Sequence, residues 1–153
     1  MAIVPRVLHE HINTAFPDNV CLVGSIQADG YPQISPRGSV VVLDDETMGF
    51  WLRGGGTTAE GVTEGTKLAV YYRNRAFGAR GGNGMLPAGG IARFYGTATV
   101  HKDGDVYEAV WNKMVQPERD NDPEKKGFAV SINIERAEFL TGKPLPEDLA
   151  MPA

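Results

Sequence analysis

Apolar residues recur at two spacings along the chain, and the change of spacing marks the elements. Within residues 6–16, Val7, Leu8, Ile12 and Ala15 fall three to four apart, which predicts one amphipathic helix stopped by Pro17-Asp18-Asn19. Residues 20–26, a run around 33–35, and residues 39–43 and 48–52 are short, apolar and partly β-branched, so they read as strands. Asp29-Gly30 and Asp44-Asp45-Glu46-Thr47 supply the turns between them. Thr57 to Val62 has the threonine-then-glutamate layout of a short helix start. Residues 67–72 and 91–100 are strands on either side of a glycine-rich stretch, 80–90, which reads as a long flexible loop. A helix over 105–116 would carry Val106, Ala109, Val110 and Met114 on one face, and a strand follows over 128–134. Six or seven strands with short turns and only two or three short helices predict a mainly β, antiparallel barrel rather than a βαβ sheet.

A length of 153 residues with 42% hydrophobic content is enough for one full core and too short for two ordinary domains. The expectation is a single domain over 1–153, with its N-terminal helix in 1–17 and a proline-containing surface tail at 144–153. No long apolar run occurs, and the first residues lack the layout of a signal peptide, so the chain reads as cytoplasmic and not membrane-bound. The single cysteine, Cys21, lies in an apolar run and reads as a buried, inert thiol. His9 and His11 point to different faces of a helix, which is poor metal geometry, and with His101 they read as surface residues. Tyr107 and Trp111, four apart on the later helix, read as packing residues.

Charge is unevenly spread. Lys67, Arg73, Arg75, Arg80 and Arg93 fall in one segment without an acidic residue, whereas from His101 onward seven Lys/Arg face eleven Asp/Glu. The whole chain carries a net charge of -4, so a small phosphorylated ligand fits the basic segment better than nucleic acid. Taken singly, Arg75 and Arg80 read as solvated, and Arg93, within a strand, as paired. Two further segments carry candidate chemistry. Ser35-Pro36-Arg37-Gly38-Ser39 enters a strand, and Arg53-Gly54-Gly55-Gly56-Thr57-Thr58 leads from a strand toward a helix. A phosphate needs close backbone N–H groups, hydroxyl donors and a guanidinium that engages two oxygens, and the second segment contains all three. Glycine triplets are more often plain turns, and no Walker lysine follows.

In order, Ala28-Asp29-Gly30-Tyr31-Pro32, Ser35-Pro36-Arg37-Gly38, Leu43-Asp44-Asp45-Glu46-Thr47, Phe50-Trp51, Tyr95-Gly96-Thr97-Ala98 and Glu138-Phe139-Leu140-Thr141-Gly142-Lys143 resemble the pyridoxamine 5'-phosphate oxidase-like FMN-binding split barrels, over about residues 20–141. The resemblance implies a six- to seven-stranded antiparallel split β-barrel of Greek-key type and a homodimer holding flavin at its interface. It also implies cofactor contacts from Arg37, Gly38, Ser39 and Val40 and from Trp51 and Leu52. The family's phosphate-binding Arg-Lys pair is replaced here by Thr57 and Thr58, which leaves Arg53 or Arg37 to supply the charge and Arg93 to act on the neighbouring subunit's cofactor. The function so implied is an FMN-dependent oxidoreductase that exchanges hydride between flavin N5 and a small-molecule substrate, with no catalytic protein nucleophile and no metal. The alternatives are a non-catalytic flavin- or haem-binding stress or storage protein, or an F420-dependent reductase on the same fold. Pyridoxamine-phosphate oxidation itself is disfavoured, because residues 144–149 do not resemble the family's arginine-rich C-terminus.

Overall fold

In the computed structural model, which describes residues 3–53 and 61–152, the alternating segments join into one seven-stranded antiparallel sheet. Helix α1 (Arg6–Asn13) leads to β1 (Cys21–Ile26), β2 (Pro32–Arg37), β3 (Val41–Asp44), β4 (Thr47–Leu52) and β5 (Lys67–Arg73). A 3-10 turn (Arg75–Phe77) precedes β6 (Ile91–His101), α2 (Asp105–Lys113), α3 (Gln116–Asp120) and β7 (Phe128–Phe139). The spatial order is β2-β1-β5-β6-β7-β4-β3, so the two edge strands are consecutive in sequence. Only Gly38, Ser39 and Val40 separate them, a tether of at most ~14 Å. Seven strands laid flat would put the edges roughly 29 Å apart, so the sheet must curl until its edges approach without sharing a ladder. The result is the mainly β split barrel expected from the sequence.

Element ends differ from the sequence reading for local reasons. Helix α1 stops at Asn13, whose Oδ1 accepts the Val42 N–H at 2.7 Å and so gives the edge strand β3 a partner. The other edge, β2, carries Pro32 and Pro36, which lack the N–H that would recruit a further strand. The single helix expected over 105–116 is two helices, because Met114 turns extended and Pro117 starts a new first turn. Strand β7 runs on to Phe139, paired with β6 across a bulge at Tyr95/Gly96, where the Asn133 carbonyl occupies the space of a side chain at Gly96. The 80–90 stretch is not a flexible loop in this structure. Asn74 N–H to Gly90 O (2.9 Å), Leu86 N–H to Phe77 O (2.9 Å) and Asn83 N–H to Ala76 O (2.8 Å) close it on itself, and Phe77, Met85 and Leu86 plug it into the core.

Strand β4 is buried on both faces and divides the apolar residues into two layers. Met48, Phe50 and Leu52 enter the barrel core with Tyr72, Phe94 and Ile132, while Trp51 faces outward into a second cluster with Tyr107, Val110 and Met114 under α2. Trp51 packs 4.9 Å from both Tyr107 and Trp111, and its Nε1–H donates to Asp122 Oδ2 at 2.8 Å. Cys21 is buried and its thiol is pushed up to about 12 by loss of solvent, which makes it inert. The histidines are half-buried rather than on the surface. His9 Nε2 donates to Val4 O (2.9 Å), His11 sits edge-on to Phe77, and His101 Nε2 lies 2.8 Å from Ser131 Oγ. The tail lies on the surface except for Leu145 and Leu149, which pack against the core.

Asp122 is the buried carboxylate that ties α3 and the chain after it to β4. It accepts Lys126 N–H (2.9 Å) and Gly127 N–H (2.8 Å) besides the Trp51 ring. Burial pushes its pKa up, but the Trp51 and backbone hydrogen bonds, with Arg53 nearby, outweigh burial and hold it below the ordinary carboxylate range. Asp122→Ala leaves three donors unpaired and is expected to destabilise the fold by at least ~2 kcal/mol in chemical denaturation at neutral pH. Because the folded pKa is depressed, that difference is full above pH ~4 and shrinks as the pH falls through the lower folded value. A difference that is constant between pH 7 and pH 2 contradicts this assignment.

Candidate functional site

The tether that closes the barrel is also where the sequence placed Arg37, Gly38, Ser39 and Val40. Arg37 is the last residue of β2 and is half-buried, its guanidinium 5.8 Å from the centre of the Phe50 ring. Its Nε is buried and has no hydrogen-bond partner. Burial, then repulsion from Arg53, lowers its pKa, and Glu118 offsets this only in part. An arginine stays charged under such pressure, so Arg37 is a cation held partly out of water with a second cation nearby. Arg53, exposed just past the end of β4, is the second cation of the pair.

The neighbours of Arg37 are fixed by packing. The Glu118 carboxylate and the Phe16 ring fill the space a side chain would need at Gly38, which brings α3 against the tether backbone. Ser39 is buried, and its Oγ accepts the Trp51 N–H (3.0 Å), so a hydroxyl takes the place of a β3 backbone group there. Val40 and Leu52 are core residues, and Trp51 is 4% exposed in the outer cluster. Thr57 and Thr58 lie outside the described residues. Arg93, on β6, does not share contacts with Arg37 or Arg53. It pairs with Glu138 (2.9 Å) and donates to Leu140 O (3.0 Å), both at the far end of β7.

Glu118 and Asp122 were not legible as site neighbours. Both belong to a polar run after α2 that looks like an exposed helix and turn, and the Trp51–Asp122 bond spans 71 residues. Elsewhere, a cavity of about 510 Å3 opens on the outer sheet face between Ile26, Gln33, Ile34, Lys67, Tyr95 and Arg136. There Tyr95 Oη donates to Glu138 (2.8 Å) and Arg136 stacks over the Tyr95 ring. Among the described residues there is no cluster of three or more His, Cys, Asp or Glu able to hold a metal, and no helix long and apolar enough to cross a membrane. Chemically, two guanidiniums at the barrel's split, one with a buried unused donor, can hold a phosphate or another dianion.

The family model described as pyridoxamine 5'-phosphate oxidase matches residues 8–140. Among solved structures, a candidate pyridoxamine 5'-phosphate oxidase from Lactobacillus delbrueckii shares 27% identity, over 84% of this chain and 91% of its own, with a TM-score of 0.57. HupZ of Group A Streptococcus is 22% identical over 90% of this chain and 98% of its own, with a TM-score of 0.64. An FMN-binding protein from Syntrophomonas wolfei is 12% identical over 89% and 88%, with a TM-score of 0.50. No curated protein matches the chain. The family model covers the split, both guanidiniums and every strand of the barrel, and the chain belongs to the pyridoxamine 5'-phosphate oxidase family.

Proposed function

We propose that the chain binds FMN by its phosphate at the split of the barrel and works as a homodimeric FMN-dependent oxidoreductase on a small-molecule substrate. The observation that carries this reading is the Arg37 guanidinium, with its buried unpartnered Nε and no ion pair among the described residues. Bound FMN would supply a two-electron centre that exchanges hydride with substrate. The chain's own part is to hold and shield it. Arg37 and Arg53 supply the charge, Thr57 and Thr58 the hydroxyl donors, and Gly38, Ser39, Val40, Trp51 and Leu52 a rigid backbone wall. Arg93 is the weaker member of the set, because Glu138 already answers its charge. A cytoplasmic setting goes with this reading, since the one cysteine is a free, buried thiol.

Two copies are expected to pair through apolar surface that one copy leaves uncovered. Trp51 and Tyr72 are buried inside one copy, at 4% and 0% exposure, and Tyr71 is half-buried. The most exposed large apolar side chains among the described residues are Ile26, Tyr31 and Ile34 around the β1–β2 hairpin, at 65%, 71% and 68%. Sedimentation of the FMN-loaded protein at micromolar concentration is expected to show a dimer that Ile34→Glu dissociates. A monomer throughout contradicts the pairing.

The phosphate contact is tested by the ratio of riboflavin to FMN dissociation constants. Arg37→Ala and Arg53→Ala are each expected to lower that ratio at least ~10-fold, and the Thr57→Ala, Thr58→Ala double change in the same direction. Arg53→Lys restores part of it, since an ammonium lacks the two-pronged fork. Glu118→Gln, which removes the carboxylate coupled to Arg37, raises the ratio. A ratio unmoved by both arginine changes removes the split from the site. Bleaching of the bound flavin by NAD(P)H, with recovery in air, supports turnover.

A further inference from the structure

The 74–90 segment is anchored in the core by Phe77, Met85 and Leu86, and its outer side has no role in the site at the split. Its cost is visible in the backbone. Gly90 sits at φ 71° against the Asn74 carbonyl, and a Cβ placed on Gly82 would fall 2.5 Å from the Gly78 carbonyl oxygen and 2.6 Å from those of Ala76 and Arg75, so neither position accepts a side chain. Asn74 Oδ1 caps Ala76 N–H (3.0 Å), and Asn83 Oδ1 holds Met85 N–H (2.9 Å). A structure closed this tightly presents its side chains at fixed positions.

What it presents is a cavity of about 480 Å3 lined by Arg73, Arg75, Arg80, Gly78, Gly89 and Pro87. Three arginines and no acidic residue line it. The segment from Lys67 to Arg93 contains no acidic residue, and among the described residues none of the three makes an ion pair. Arg73 spends only its Nε, on Gly89 O at 3.4 Å. Like charges repel, so three arginines lining one concave site that holds no carboxylate raise a positive potential that an anion would answer. Arg73 and Arg75 also line an adjoining cavity of about 280 Å3 with Asp18, Asn19, Leu22 and Tyr71, which gives room for the body that bears the anion and sets one carboxylate, Asp18, on its far side from Arg80. The volume admits a small molecule rather than a polymer.

We infer that Arg73, Arg75 and Arg80 form a second anion site, separate from the Arg37–Arg53 pair, that takes the phosphate or diphosphate group of a small molecule. The site stands on its own geometry, so it survives or fails independently of FMN binding at the split.

The probe is inorganic pyrophosphate, titrated calorimetrically into three proteins: the parent chain, Arg75→Ala/Arg80→Ala and Arg37→Ala/Arg53→Ala. Arg75 and Arg80 are exposed and unpaired, so their removal is expected to leave the melting temperature unchanged. The expected result is binding to the parent chain, weakened at least ~10-fold by Arg75→Ala/Arg80→Ala and retained in Arg37→Ala/Arg53→Ala. Arg75→Lys/Arg80→Lys restores part of the loss. FMN affinity stays within about twofold in Arg75→Ala/Arg80→Ala, on the ordinary additivity of distant sites. Three outcomes overturn the inference: no pyrophosphate binding to the parent chain at millimolar concentration, equal binding in Arg75→Ala/Arg80→Ala, or FMN binding lost in that variant. The last would assign these arginines to the cofactor.

Discussion

The constraint on which the rest of the structure depends is the three-residue tether between the two edge strands. Because Gly38, Ser39 and Val40 must link β2 to β3 across the ends of a seven-stranded order, the sheet cannot lie flat. It closes without a ladder at that seam, and the backbone groups there need other partners. Ser39 Oγ meets the Trp51 N–H, and Asn13 Oδ1 meets that of Val42. The seam is therefore held by side chains, and beside it the Arg37 guanidinium sits half-buried with a donor to spare, as Arg93 does on β6.

The same seam explains why the helices after β6 are where they are. Strand β4 needs cover on its outer face, and α2 supplies it with Tyr107, Val110 and Met114 against Trp51. Asp122 then locks the turn after α3 onto the indole, and Glu118 on α3 comes to rest against Gly38. Packing of the outer layer thus sets the charge balance beside Arg37. Glu118 is brought near Arg37, and Asp122, held by Trp51 and backbone N–H groups, stays ionised within the field of Arg53.

Strand order, hairpin turns and the candidate cations Arg37 and Arg53 were legible in the sequence, because period-two burial and strand-end motifs are local signals. The orientation of Trp51 was not. An aromatic at a strand end reads as a ligand-facing residue, and only the placement of α2 shows that it points the other way. Glu118 and Asp122 escaped for the same reason, since their partners lie far off in sequence and their own surroundings look like a solvated helix and turn. The glycines of the 80–90 stretch were misleading in kind. Their abundance reads as freedom, whereas Gly82 and Gly90 are required by carbonyls that crowd them, with Phe77 and Leu86 as anchors that no periodicity reveals.

A crystal structure of the FMN complex tests whether the Arg37 and Arg53 guanidiniums at the seam receive the cofactor's phosphate. The expected result is a phosphate oxygen within hydrogen-bond distance of Arg37 and Arg53, with the Arg37 Nε no longer lacking a partner. A phosphate seated anywhere else, with Arg37 turned to solvent or paired to Glu118, would contradict it.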